Sequence, residues 1–271
     1  MARQPFHRVG PALVMGVCNV TPDSFSGDGH GRDHLAAIAH GKKLFESGCS
    51  FVDVGGVSTR PGAASVDEGA ELERVIEVVQ ALSAIGRVSI DTTSSEVARR
   101  AVEAGATMLN DVSGNLGELA GELGIGYIGM HSRGTPETMQ SLTEYDDVVA
   151  EVTASILASC RRAADSGATD IYGDPGIGFA KTFSQNRVLL RATSIIAADL
   201  AREGFGLLIG VSKKGFLGEG LQGRQYPIGE RSEQSLAAAV WAMANGAAIL
   251  RVHDGIDTVR AAVLVGEIGT V

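Results

Sequence analysis

The chain has 271 residues, 44% of them hydrophobic and 20% charged, with a formal net charge of −9. That length suits one large domain or two small ones, and the well-mixed composition argues against disordered and fibrous classes. An acidic balance without any Lys/Arg block argues against a nucleic-acid partner, and no apolar stretch approaches the ~18–20 residues that a membrane helix needs.

The N-terminal segment MARQPFHRVGPALVMGV has a few basic residues and a short apolar run that ends at Asn19 without an export cleavage pattern. It is expected to form the first strand of a cytoplasmic protein. Three cysteines, Cys18, Cys49 and Cys160, are odd in number, widely spaced and set among apolar neighbours, which favours reduced, packed thiols.

Apolar runs of strand length recur in chain order: ALVMGVCN (12–19), SFVDVGG (50–56), RVSID (87–91), ATMLND (106–111), IGYIGMH (125–131), TDIYGD (169–174), GLLIGVS (206–212) and AAILRVHD (247–254). Between them lie helical segments such as RDHLAAIAHGKKLFESG, DEGAELERVIEVVQALSAIG, SEVARRAVEAG and RSEQSLAAAVWAMANG, rich in helix formers and closed by Gly. Strand and helix alternating, with strands that read as continuous apolar runs, predict a parallel sheet closed as a single (β/α)8 TIM barrel, an α/β domain over residues 1–271. The alternative is an open doubly wound sheet, whose dinucleotide version is weakened because no G-x-G-x-x-G follows the first strand.

Polar residues gather at the C-terminal ends of these runs: Asn19, Asp53, Asp91, Asn110 with Asp111, His131, Asp174, Ser212 with Lys213 and Lys214, and Arg251 with His253. In a barrel they ring one mouth, where barrel enzymes keep their active sites. Taken singly, any Asp or Asn there could be a helix cap or turn former.

Asp91, Asn110, Asp174 and Lys214 suit a flat heterocycle with an amino group, ring nitrogens and a carbonyl, because a carboxylate accepts two parallel N–H bonds and a lysine donates to a carbonyl. A bicyclic pterin fits; plain salt bridges between Lys214 and the acids are the competing explanation. Arg251 and His253 are one residue apart, hence on one side of the eighth strand, and with Asn19 on the adjoining first strand they make a corner for phosphate. The Asn19 amide oxygen could also ligate Mg²⁺, a hard cation often held by substrate phosphates. Pairing of Arg251 and His253 with Asp254 and Asp257 is the plainer alternative. Two loops at the mouth, residues 20–31 and VSTRPGA (57–63), are rich in turn formers and are candidate lids.

Several strings resemble the dihydropteroate synthase family: NVTPDSFSGDG (19–29), DVGGVSTRPGA (53–63), SIDT (89–92), LND (109–111), MHSRGTPETMQ (130–140), DPGIGFAKT (174–182), GVSKKGFLG (210–218) and RVHD (251–254), in family order over nearly the whole chain. The resemblance implies a (β/α)8 barrel that joins 6-hydroxymethyl-7,8-dihydropterin pyrophosphate to para-aminobenzoate, giving 7,8-dihydropteroate and pyrophosphate in folate biosynthesis. It implies pterin contacts at Asp91, Asn110, Asp174 and Lys214, and pyrophosphate contacts at Asn19, Arg251 and His253 with Mg²⁺ at Asn19. It places the aminobenzoate site at Thr59, Arg60, Pro61 and Phe179. Asp91, Asp174, Lys214, Arg251 and His253 would carry the catalysis, by a dissociative route in which the C–O bond to pyrophosphate breaks before the aniline nitrogen attacks. The family is a target of sulfonamides, which mimic aminobenzoate, and the resemblance suggests a homodimer through the later helices, with FGLLIG, LAAAVWAMANG and AAVLVGEIG either as apolar surface or as packing of the barrel exterior.

The chain departs from the family pattern at Val57, where Glu is usual, at Lys213, where Arg is usual, at Gly215, where Ser or Arg is common, and in the first loop, whose acid moves to Asp28. All four fall on the aminobenzoate side. Two alternatives follow: a pterin-binding paralogue with little synthase activity, and a pterin-dependent methyltransferase, for which no cobalamin-carrying domain is evident.

Overall fold

The computed structural model describes residues 4, 6, 10–21, 34–58, 66–219 and 224–268. Each expected apolar run forms a strand: β1 (Leu13–Asn19), β2 (Phe51–Gly55), β3 (Val88–Asp91), β4 (Met108–Asp111), β5 (Gly126–Met130), β6 (Ile171–Asp174), β7 (Gly206–Ile209) and β8 (Ile249–Val252). Neighbours pair in parallel, and β8 closes on β1 through Leu13 opposite Ile249 and Met15 opposite Arg251. The closed barrel decides against an open doubly wound sheet.

Helices lie between the strands: α1 (His34–Glu46), α2 (Glu68–Ser83), α3 (Ser95–Glu103), α4 (Gly117–Glu122), α5 (Val148–Asp165), α6 (Phe183–Arg191), α7 (Thr193–Arg202), α8 (Ser232–Ala244) and α9 (Gly255–Ile268). Their starts follow from local chemistry. Asp67, Ser94 and Asp147 each accept an N–H from the first turn of α2, α3 and α5, and Thr182 forms a reciprocal capping box with Gln185 at α6. After α3 the chain turns out through Gly105 at φ 108°, a conformation that a side chain would strain.

Strand alternation sorts the side chains. Val52, Val54, Val88, Ile90, Leu109, Tyr127, Leu207 and Leu250 point outward into the layer under the helices. Met15, Phe51, Met108, Ile128, Tyr172, Leu208, Ala248 and Ile249 fill the barrel's lower interior. Burying each of the large ones contributes about 1.5–3 kcal/mol. The Phe6 ring meets Tyr172 edge-on at 6.2 Å. Above this floor the inward positions turn polar: Asp53, Ser89, Asp91, Asn110, Asp174 and Arg251.

The same alternation corrects two expectations about the mouth. Asp111 points outward, accepting from Ser113, the Leu116 N–H and Tyr127 Oη, and so holds the connection into α4. His131 is buried beside Lys181, off the mouth. Of the two places open to FGLLIG, the structure shows the packed one: the segment is buried because it contains β7. Trp241 stands half exposed on α8, and the three cysteines are buried free thiols. Among the described residues no helix is long and apolar enough to cross a membrane.

Candidate active site

Asp53 organises the polar layer. Its buried Oδ2 accepts from Arg251 Nε at 2.6 Å and from Asn110 Nδ2 at 3.0 Å. Arg251 reaches further, donating through a second nitrogen to Asp91 Oδ2 at 2.6 Å. Asp53 thus brings Asp91 and Asn110 of the expected pterin set together with Arg251 of the expected phosphate corner. Partners of Arg251 are these two acids, whereas Asp254 pairs with Lys213 at 3.0 Å. A guanidinium has five N–H donors, and the two used here leave others for an anion. Its side chain remains 22% exposed, so it can be reached from the mouth.

Asp174 ends β6, its Oδ1 accepting the Gly176 N–H at 2.7 Å. Gly210 lies between it and Arg251: a Cβ there would stand 3.8 Å from the Arg251 Cβ and 3.9 Å from Asp174 Oδ2. Lys214 is carried by the loop four residues or more past β7, not by the strand, and its Nζ stands 4.3 Å from the centroid of the Phe179 ring. Asn19 is half-buried at the end of β1, level with Gly55, which in turn faces Asp91. His253 lies just past β8, with Ser212 Oγ 3.1 Å from its Nδ1. Thr59, Arg60 and Pro61, Asp28 and most of both candidate lids lie outside the described residues.

Burial dominates the electrostatics. It pushes the Asp91 carboxyl up to about 7, with Arg251 and Lys214 pulling it down and Asp53 and Glu71 pushing it up. Asp174 is also raised by burial, against the Gly176 N–H and the charge of Lys214. For Arg251, burial alone would weaken the charge, but Asp53 and Asp91 outweigh it and hold the guanidinium above its ordinary value. Carboxylates therefore concentrate under the mouth, with cationic groups at Arg251 and Lys214.

Among the described residues no cluster of three or more His, Cys, Asp or Glu side chains could hold a metal ion. The one amide oxygen at Asn19 fits a Mg²⁺ that takes most of its ligands from substrate phosphates and water.

Of the departures among the described residues, only Lys213 has a local explanation. Lys213 adopts φ 59° and gives its charge to Asp254, its backbone N–H bonding Ser235 Oγ at 2.9 Å. A Cβ at Gly215 would meet the Phe183 ring at an ordinary 3.4 Å, so crowding does not require glycine there. Val57 is half-buried next to Gly56, against which the buried Glu71 packs.

Sequence reasoning placed Asp53 at the mouth without a role, and its link to Arg251 joins residues 198 positions apart. The inward alternation shared by Phe51 and Asp53 was the available signal. Lys181 was missed as well.

A family profile described as pterin binding enzyme matches residues 15–253. The dihydropteroate synthase of Synechocystis sp. is 44% identical over 250 residues, covering 89% of this chain and 84% of that protein. The Xanthomonas albilineans dihydropteroate synthase solved with 4-aminobenzoic acid superposes with a TM-score of 0.86 at 38% identity, over 96% of this chain and 94% of that one. The structure from that organism in complex with 7,8-dihydropteroate gives a TM-score of 0.82 at 35% identity, over 96% and 95%. The chain belongs to the pterin-binding enzyme family, among the dihydropteroate synthases.

Proposed function

We propose that this barrel condenses 6-hydroxymethyl-7,8-dihydropterin pyrophosphate with para-aminobenzoate to give 7,8-dihydropteroate and pyrophosphate, the folate-forming transferase reaction of its relatives. The observation that carries the reading is the buried set of Asp91, Asn110 and Asp174 around Arg251, facing a Lys214–Phe179 pair across the mouth.

Asp91, Asn110 and Asp174 would accept and donate along the polar edge of the pterin, one carboxylate taking the parallel N–H pair of the amino group and the neighbouring ring nitrogen and the other a single N–H. Lys214 would donate to the pterin carbonyl or a ring nitrogen, with Phe179 and the Thr59–Arg60–Pro61 loop beside the aminobenzoate. Asn19, the unspent N–H groups of Arg251 and His253 would hold the pyrophosphate. A Mg²⁺ held at Asn19 would supply further charge neutralisation to that leaving group.

Chemistry follows from this division of charge. As the methylene C–O bond breaks, its electron pair leaves with the pyrophosphate, which Arg251 and His253 stabilise. The electron-poor pterin left behind sits over Asp91 and Asp174, whose carboxylates favour positive charge. The aniline nitrogen then forms the C–N bond, and its proton passes to the released pyrophosphate or to water. Arg251 bridges both halves, since its ion pairs with Asp53 and Asp91 fix the same guanidinium that would meet the phosphate.

The reading extends to a single barrel domain in the cytoplasm, a homodimer through the later helices and sensitivity to sulfonamides. Exposed Ile195 on α7, Trp241 on α8 and Leu264 on α9 support the dimer. The test is pyrophosphate release by the purified protein given both substrates and Mg²⁺, with dihydropteroate identified by mass. Release that requires aminobenzoate supports the proposal; pterin binding without product would instead make the chain a binding paralogue.

A further inference from the structure

The connection from Asp174 to Thr182 carries two residues of the proposed site, Asp174 and Phe179, and near its end a lysine that none of the chemistry above uses. Lys181 is only 2% exposed, an uncommon place for an ammonium unless its donors are matched. They are matched. Its Nζ lies 3.0 Å from His131 Nδ1, 3.1 Å from the Gly176 carbonyl oxygen and 2.9 Å from the Phe179 carbonyl oxygen. Protonated Lys181 has three donors, so the arrangement is complete when His131 presents an unprotonated Nδ1; burial lowers the lysine to about 7, with the charge of Asp174 favouring its ammonium form. Burial, together with the charges of Lys181 and Arg133, depresses His131 to about 3, which keeps that nitrogen an acceptor.

The carbonyls held by Lys181 belong to the residues that shape the loop. Gly176 also donates its N–H to Asp174 Oδ1, and it runs so close to the end of β5 that a Cβ would fall 2.0 Å from the His131 carbonyl oxygen. Phe179 carries the ring under Lys214. Neighbouring bonds tighten the same turn: Tyr145 Oη donates to Ala180 O at 3.0 Å, where the backbone takes φ 50°, and the Gly178 N–H donates to Asn186 Oδ1 at 2.7 Å.

The two site residues are not equally dependent on this lysine. Asp174 is a strand residue, opposite Met130, and its carbonyl accepts the His131 N–H at 2.9 Å. Phe179 has no strand partner; its backbone is held by its own N–H to Gly176 O at 3.0 Å and by Lys181.

We propose that Lys181, with His131 as its acceptor, is a positioning residue for the second substrate: it fixes the β6–α6 loop so that the Phe179 ring stands beneath Lys214 where aminobenzoate binds. The proposal rests on the synthase reading above.

The test compares wild type with Lys181→Met and His131→Leu, at a temperature where thermal melts show each variant folded. Calorimetry gives the Kd of dihydropterin pyrophosphate, product formation gives kcat and the aminobenzoate KM, and aminobenzoate binding is also titrated directly with pterin and pyrophosphate present. Lys181→Met leaves two buried carbonyls without their ammonium, so the aminobenzoate KM or Kd is expected to rise about tenfold or more while the pterin Kd moves less than about threefold. His131→Leu, which keeps both carbonyl acceptors, is expected to shift the same constant less, and it carries the test if Lys181→Met does not fold. Folded variants with wild-type aminobenzoate constants, whatever their Tm, would overturn the proposal, as would equal losses for both substrates. A wild type that makes no dihydropteroate counts against the synthase reading alone, because direct aminobenzoate binding still reports on Lys181.

Discussion

The floor and the rim of the mouth are built differently. On the floor, Asp53, Asp91, Asn110, Asp174 and Arg251 are strand residues, their backbones fixed by the parallel ladder. Arg251 is ion-paired with Asp53 and Asp91, while Asn110 and Asp174 are held by hydrogen bonds. On the rim, Phe179, Lys214 and Val57 sit on connections; Phe179 and Lys214 are held by backbone hydrogen bonds within the loops, a cation–ring contact between them and the buried Lys181. Strand ends define position to a fraction of an ångström without help from ligand, whereas loops adjust. The departures among the described residues, Val57, Lys213 and Gly215, lie on connections past strand ends. On the proposed assignment, the pterin contacts at Asp91, Asn110 and Asp174 belong to the barrel's strands, whereas Lys214 and the aminobenzoate contact Phe179 are attached to it by loops.

The harshest way to break this comparison is Arg251→Met. It would leave Asp53 and Asp91 buried without their cation, a change expected to cost about 3 kcal/mol of stability because an uncompensated buried charge remains. Denaturant unfolding would read that loss, and turnover is expected to fall by on the order of 10³-fold with the leaving-group contact gone. Unchanged stability would mean that the floor does not depend on its ion pairs.

A milder probe is pH. Burial, with Asp53 and Glu71, raises Asp91 to about 7 despite Arg251 and Lys214, far above the ordinary value of about 3.9. Because the folded value lies above the unfolded one, the stability associated with Asp91 is present in full below about pH 4 and is lost as pH rises through about 7. A pterin that donates N–H groups to the carboxylate offsets this, so the Tm gain on pterin binding is expected to grow between about pH 6 and 8. Asp91→Asn would flatten that growth; a Tm gain independent of pH in the wild type would contradict the assignment.

The smallest expected effect belongs to the rim. Val57→Glu supplies the family's usual acid beside Glu71, whose own carboxyl is raised by burial. We expect the aminobenzoate KM to change about threefold or less, with pterin affinity unaltered, since the position is half exposed and lies past the end of β2. Steady-state kinetics would show it.

Much of the floor was legible in the sequence because strand alternation is a local property: an apolar run ending in Asp or Asn states both the strand and the direction of its last side chains. Asp91, Asn110, Asp174 and Arg251 were found that way. Asp111 was placed on the same mouth only because it neighbours Asn110, and the period of two sends it outward to Tyr127. Partnerships were less readable. Arg251 meets Asp53 only because β8 closes on β1, a consequence of barrel closure and not of any nearby residue. Lys181 reads in sequence as an ordinary exposed lysine, and its burial depends on His131, 50 residues earlier. Lys214 was expected on a strand, but β7 stops at Ile209 and a turn through Lys213 carries it over the mouth.

The most direct measurement of the division between floor and rim is a paired one on Phe179→Ala: the Kd of dihydropterin pyrophosphate by calorimetry and the KM of aminobenzoate by dihydropteroate formation. A pterin Kd unchanged within about twofold, with an aminobenzoate KM raised about tenfold by loss of the ring, is the predicted result. A fall in pterin affinity as large as the loss for aminobenzoate, or an unchanged KM, would contradict the account.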